Sequence, residues 1–429
     1  MLYRLVKIMM TCALKLFYKR ILTEDLHRIP PRGAAILIAN HPSSLMDAAV
    51  LGISSPRPLY FFARGDIFRH PLAARLLRAL HMYPIHHHQE GRNTLNHNDQ
   101  SFAAAMDLLH KGEVLLFFPE GISQVAYRLQ PFKKGSFRLA FAANIPIPDV
   151  SAGNVSAPST CKDVPVVPLA LNYSHPTHLF QTVWLRAGQP LALQPLLNAY
   201  PGAPAAALRQ LTEEAYQSIQ SLAIANNEYP QEVFELLRLW RNDPASERAG
   251  TYRIRTEKKL AAGAGKNMSE LKPLLEDYKN AAKKAGLQPE QTFQPGQPAL
   301  PAFPLWAGLP LALAGWLLHA LPLLLARRIA DSKVTRIDFY SWVLVVLSCF
   351  LWLGWTALLS TCLFLLLPVA NACALLALYL LTGWLTWKYY AYFLSWKAGN
   401  SAKKLPAVLQ SELQAKRKNI INRLTALTL

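Results

Sequence analysis

Two short stretches carry residue types that could do acid–base work. In Ala34–Asp47 an apolar run delivers Asn40 and His41 to what reads as the C-terminal end of a buried strand, where open α/β sheets usually hold their sites. Asp47 follows His41 by six residues, which is not a same-face spacing on one helix. His41 must then sit in the turn ahead of the helix, with the chain folded so that Asp47 meets the imidazole. Pro42 suits a first helical turn, and Ser43 and Ser44 are candidate caps. Such a pair makes a general base: the carboxylate fixes the tautomer and stabilises the imidazolium formed when a hydroxyl is deprotonated. The blander reading is a capping Asp beside an incidental histidine. The second stretch, Phe117-Phe118-Pro119-Glu120-Gly121-Ile122-Ser123, is again a strand running into a glycine turn. It sets a carboxylate beside the first stretch if the two strands are neighbours.

The elements that must position these residues are those of an α/β unit. Between about residues 32 and 195, short apolar runs at 34–39, 58–62, 114–118, 164–171 and 183–187 read as strands. Segments 46–51, 70–80, 101–109 and 137–143 read as helices, and the alternation predicts a sheet flanked by helices. Residues 201–290 are charged and helix-forming, without strand-like runs. Residues 291–304 hold four prolines and read as a linker.

Beyond the linker the chain turns apolar. Residues 340–367 are uncharged and exceed the ~20 residues needed to cross ~30 Å of hydrocarbon. Residues 369–388 follow Pro368 and end at Lys388 among Trp384, Trp387, Tyr389, Tyr390 and Tyr392, an interfacial pattern. Together they read as a transmembrane hairpin. Residues 305–326 are also apolar but are interrupted by Gly308, Pro310, Gly315, His319 and Pro322, and read as re-entrant or as a third span. Basic residues flank both regions (Arg327, Arg328, Lys333 and Arg336; Lys397, Lys403 and Lys404), which orients the flanks toward the cytoplasm. One hairpin satisfies both flanks. Residues 1–22, apolar with Arg4, Lys7, Lys15, Lys19 and Arg20, read as an amphipathic helix on anionic lipid, and 397–429 as a basic cytoplasmic tail.

Composition excludes several classes. Lys and Arg number 45 against 26 Asp and Glu, a net charge of +19, while 52% of residues are hydrophobic. Disorder would need low hydrophobicity, and five cysteines in 429 residues build no disulfide scaffold. The basic residues border membrane segments and match no nucleic-acid-binding motif, so nucleic acid is not an expected partner. His86, His87 and His88 invite a metal reading, but neighbours in extended chain point to opposite faces and no cluster of ligand spacing accompanies them, so no metal is expected.

Taken together, the Asn40-His41 stretch with Asp47 and the Phe117–Gly121 stretch resemble the PlsC-like glycerolipid acyltransferase family. Phe132-Lys133-Lys134-Gly135 is similar to that family's basic glycine turn, and Val164–Ala170 to its proline-bearing closing strand. The resemblance covers about residues 19–188. It implies an O-acyltransferase of phospholipid biosynthesis, with a PlsC-like domain over residues 23–200. His41 would be the base and Asp47 its orienting partner. Asn40, Glu120, Gly121, Lys133 and Lys134 would bind substrate. No cofactor is expected; acyl-CoA or acyl carrier protein would be the donor and glycerol-3-phosphate or a lysophospholipid the acceptor. Two departures matter. The commoner motif has four residues between His and Asp, and here Pro42–Met46 make five. That form resembles a glycerol-3-phosphate acyltransferase-like branch with a helical insert and C-terminal membrane segments, which favours glycerol-3-phosphate. Where the family has an arginine after a Pro-Val-like turn, Tyr83-Pro84-Ile85 is followed by three histidines, leaving Arg92, Arg64 or the lysines for the acceptor phosphate. The expected location is a bacterial inner membrane, catalytic domain inward. The alternative of another class is an inactive lipid-binding membrane protein.

Overall fold

The computed structural model describes residues 2–85, 95–125, 128–144, 164–174, 179–201, 203–224, 231–241, 253–285, 301–401 and 406–427. Arg92, His86–His88 and most of the 291–304 linker lie outside the described residues. The chain forms two compact units: Met1–Asn226 with Arg336–Trp342, and Asn227–Thr335 with Val343–Leu429.

The first unit is built on seven strands: β1 (Arg20–Glu24), β2 (Ala35–Ala39), β3 (Leu59–Arg64), β4 (Met82–Ile85), β5 (Val114–Phe117), β6 (Val166–Tyr173) and β7 (Thr182–Ala187). They lie in the order β1-β7-β6-β2-β5-β3-β4. Every pairing is parallel except β6 with β7, so the sheet is mixed. β2 and β6 are central and buried along their whole length, which is why both read as continuous apolar runs rather than as alternating ones. Helices α1 (Leu2–Phe17), α2 (Leu45–Ser54), α3 (Pro71–Ala79), α4 (Leu95–His110), α5 (Gly135–Asn144), α6 (Leu193–Ala199) and α7 (Pro204–Leu222) belong to this unit. A core cluster joins Ile36 and Ile38 of β2 to Phe137 and Ala140 of α5 and Leu211 and Ile219 of α7.

Two strands escape a reading by pattern. β1 is short and carries Arg20 and Glu24 at its ends, so it reads as the tail of the basic N-terminal segment. β4 contains Pro84, which sits where proline is tolerated, on an edge strand.

The second unit holds α8 (Gln231–Arg241), α9 (Arg253–Lys266), α10 (Met268–Lys284), α11 (Phe303–Lys333), most of α12 (Ile337–Leu366), α13 (Val369–Ser401) and α14 (Ala407–Ala426). α11, α12 and the Val369–Leu394 part of α13 are long and apolar enough to cross a membrane. α13 packs most extensively on α11 rather than on α12. Gly308 meets Tyr389, Gly315 meets Thr382 and Thr386, and Gly383 meets His319, so the two helices run antiparallel. A Cβ on Gly315 would lie 2.7 Å from the Thr382 carbonyl oxygen, so the approach needs glycine. The Trp352 indole N–H donates to His319 Nδ1 at 3.0 Å. An indole can only donate, so the imidazole proton is on Nε2, 3.0 Å from the Tyr379 carbonyl. One neutral histidine thus joins α11, α12 and α13.

Candidate active site

β2, β5 and β3 are adjacent and parallel, so their C-terminal ends open on one edge of the sheet. That edge receives His41 from β2, Glu120 from β5 and Arg64 from β3. Ile38 pairs with Phe117, which sets the turn after each strand beside the other.

Asn40 precedes the turn and is buried. Its side-chain amide donates to the Leu171 carbonyl at 3.0 Å and accepts from the Leu171 N–H at 2.7 Å. Asn40, expected among the substrate-binding residues, has both ends of its amide engaged by β6, which fixes the point at which the chain leaves the sheet.

The turn that follows is tightly held. The Ser43 N–H donates to Asp47 Oδ2 at 2.7 Å, the work of a capping carboxylate in the first turn of α2. The same oxygen lies 2.9 Å from His41 Nδ1. Asp47 is therefore both cap and imidazole partner, and the two sequence readings are not exclusive. Ser44 between them has φ 49° and ψ −135°, a region that favours glycine. Phe118 stacks on the His41 ring at 3.9 Å between centroids. Pinned by a carboxylate at Nδ1 and a phenyl on one face, the ring still has 17% of its side chain exposed, against 0% for Asp47. Burial raises the Asp47 carboxyl above its ordinary range, opposed by hydrogen bonds from His41, Tyr173 and Ser43.

Glu120 is buried behind this turn. Oε1 accepts from the His41 backbone N–H at 2.9 Å and Oε2 from the Gln130 N–H at 3.1 Å. Burial pushes its carboxyl up to about 7, with the two N–H donors opposing. Both oxygens hold backbone. Gly121 has φ 71°, and a Cβ there would lie 2.5 Å from Lys133 Nζ. Glycine thus serves both the turn and the close approach of a lysine. Lys133 and Lys134 are exposed, and Lys134 precedes the first turn of α5. Arg64 is exposed and its Nη2 pairs with Asp66 at 2.8 Å. The structure thus brings His41, Asp47, Glu120, Gly121 and Lys133 together, with Lys134 and Arg64 at exposed positions nearby in chain and sheet order.

Residues 20–172 match the family model for Acyltransferase. This stretch is similar to the Acyltransferase family. It is 26% identical over 131 residues to the chloroplastic 1-acyl-sn-glycerol-3-phosphate acyltransferase BAT2 of Brassica napus, covering 30% of this chain and 36% of that one. It is 29% identical over 143 residues to the chloroplastic 1-acyl-sn-glycerol-3-phosphate acyltransferase LPAT1 of Arabidopsis thaliana, covering 32% of this chain and 38% of that one. The chain thus spans little more than a third of the length of these curated relatives. The crystal structure of the 1-acyl-sn-glycerophosphate (LPA) acyltransferase PlsC from Thermotoga maritima aligns at 19% identity and a TM-score of 0.35, over 51% of this chain and 79% of that one.

Two residues of the acyltransferase domain's surroundings carry no sequence signal. The Tyr173 hydroxyl donates to Asp47 Oδ1 at 2.7 Å from 126 positions away. Asp338, 215 positions from Ser123, accepts from the Ser123 hydroxyl just after the Glu120-Gly121 turn. Arg336 binds Asp338 through Nε at 3.2 Å and Nη2 at 2.8 Å, and reaches the Ser123 carbonyl at 3.2 Å. The next residue, Gln124, donates its N–H to the His41 carbonyl at 3.2 Å.

Proposed function

We propose that this domain transfers an acyl group from a thioester, acyl-CoA or acyl carrier protein, to a hydroxyl of a phosphorylated glycerol. The observation that carries the reading is the His41 Nδ1 to Asp47 Oδ2 contact at 2.9 Å at the open edge of the sheet. With Nδ1 held by the carboxylate, Nε2 is the nitrogen left to accept a proton. The acceptor hydroxyl gives its proton to Nε2 as its oxygen attacks the thioester carbonyl. The C–O bond forms, the C–S bond breaks, and the imidazolium returns the proton to the leaving thiolate. Asp47 stabilises the imidazolium in between. General base catalysis supplies about 10²–10⁴-fold, so the remainder falls to positioning. Lys133, placed by Gly121, with Lys134 and Arg64, supplies positive charge for the acceptor phosphate. Glu120 keeps the His41 backbone in place.

The relatives' names favour a lysophosphatidate-type acceptor. The five-residue spacing between His41 and Asp47 and the added helices favour glycerol-3-phosphate as a second reading. Purified protein assayed with both acceptors and a labelled acyl thioester separates them: phosphatidate from lysophosphatidate supports the first, lysophosphatidate from glycerol-3-phosphate the second. No product with either would favour an inactive lipid-binding protein.

The enzyme works at a membrane, its domain on the cytoplasmic side by the basic flanks. α10 and α14 pack together in the second unit, with Lys416 Nζ 2.7 Å from Asp277 and the buried Arg417 donating to the Leu239 carbonyl at 3.1 Å. Chain ahead of α11 and chain after α13 therefore share one side of the bilayer, which requires an even number of crossings. The antiparallel course of α11 and α13 favours these two, a departure from the expected hairpin of residues 340–367 and 369–388. Cysteine labelling from each face at Asp277 and Glu412 should give the same side.

A further inference from the structure

Asp47 is fully buried, and its two oxygens are unequally served. Oδ2 takes both the His41 imidazole and the Ser43 N–H, whereas Oδ1 takes the Tyr173 hydroxyl at 2.7 Å. A carboxylate can turn about its Cβ–Cγ bond, and a bond at Oδ1 opposes that rotation. Tyr173 is itself rigid. It ends β6, pairs across the ladder with Val183 of β7, is 4% exposed, and packs its ring against Tyr18, which follows α1, at 6.0 Å between centroids. If packing were its whole role, a phenyl would fill the same volume without a hydroxyl to satisfy.

We propose that Tyr173 is a positioning residue of the His41–Asp47 pair, holding Oδ1 so that Oδ2 stays on His41 Nδ1. The inference rests on His41 being the base. Its electrostatic consequence follows from where charge sits. The pair is net negative when the imidazole is neutral and net zero when it has gained a proton. A donor at Oδ1 stabilises the net negative form more. Removing the hydroxyl should make the pair take up its proton at higher pH, and should let the carboxylate turn.

The test uses the full-length protein in detergent or nanodiscs. The His41 ring signal, assigned by its disappearance in His41→Ala, is followed by NMR against pH without substrate. In Tyr173→Phe the midpoint should rise by about 0.5–1 pH unit, as expected for loss of one hydrogen bond to a charged group. The acid limb of kcat/KM should move the same way, kcat should fall about 10-fold, and the acyl-donor KM should stay within about twofold. Tyr18→Phe, which removes a hydroxyl that interacts with that of Tyr173, should shift the midpoint by less than Tyr173→Phe. Incorporation of 3-fluorotyrosine at position 173, which keeps a stronger donor, should restore wild-type behaviour. A folded Tyr173→Phe protein with an unchanged His41 midpoint would overturn the proposal. Because that readout needs no turnover, it decides the matter separately from the acyltransferase assay.

Discussion

Glu120 Oε1 accepts a hydrogen bond from the backbone N–H of His41 at 2.9 Å, across 79 residues of sequence. The acidic residue of the second motif thus braces the main chain of the first, and its burial has a pH signature. A carboxyl raised from 4.5 to about 7 favours the fold in its protonated form. The associated stability is fully present below about pH 4.5 and is lost as pH rises through about 7. Its upper bound is roughly 3 kcal/mol. Melting temperature should therefore fall between pH 5 and 8 in the wild-type protein. Glu120→Gln, which cannot ionise, should flatten that fall while lowering the melting temperature at pH 5 through the lost acceptor for Gln130. Parallel slopes in the two proteins would remove Glu120 as the cause.

Ser44 is held at positive φ between His41 and Asp47. Glycine adopts this conformation without strain, so Ser44→Gly should leave the turn intact and change stability by no more than about 1 kcal/mol in either direction. Ser44→Val, β-branched in the same place, should cost at least about 2 kcal/mol and most of the activity. Thermal melts of the pair check this.

Gly121→Ala puts a Cβ where Lys133 Nζ now sits and forces positive φ on alanine. We expect a stability loss of about 1 kcal/mol and a KM for the phosphorylated acceptor raised about fivefold, the donor KM unchanged. Lys133→Ala should reproduce the KM effect without the stability loss.

Arg336 and Asp338 belong to the first unit, although Asp338 lies in the first turn of the long apolar helix α12 and Arg336 just ahead of it. Asp338→Ala leaves the Ser123 hydroxyl and the Arg336 guanidinium without their carboxylate, which should cost about 1–3 kcal/mol and slow turnover. In a double-mutant cycle with Ser123→Ala the two losses should be non-additive by at least about 0.5 kcal/mol.

What the sequence made legible divides along physical lines. His41 and Asp47 are six residues apart and share a turn, so local chain geometry was enough to suggest their meeting. β2 and β5 are buried on both faces and announce themselves as apolar runs. β1 and β4 lie at the sheet's two edges, where charged ends and a proline are tolerated and no pattern is imposed. The place of Asn40 in the motif suggests a substrate ligand, while its structural bonds to Leu171 depend on the alignment of β2 with β6, which no local spacing encodes. Tyr173 and Asp338 act across 126 and 215 residues of sequence. Contacts of that range leave no periodicity or spacing to read. Among the apolar helices, length was visible, but the pairing of α11 with α13 depends on Gly308, Gly315 and Gly383 facing particular side chains.

The central claim is that His41 is the base for acyl transfer. Its most direct test is the initial rate of product formation by wild-type and His41→Ala protein, with lysophosphatidate or glycerol-3-phosphate and a labelled acyl thioester, both proteins shown to be folded by thermal melt. The account predicts a rate reduced at least about 10³-fold in His41→Ala with the melting temperature nearly unchanged. Turnover by folded His41→Ala within a few-fold of wild type would contradict it.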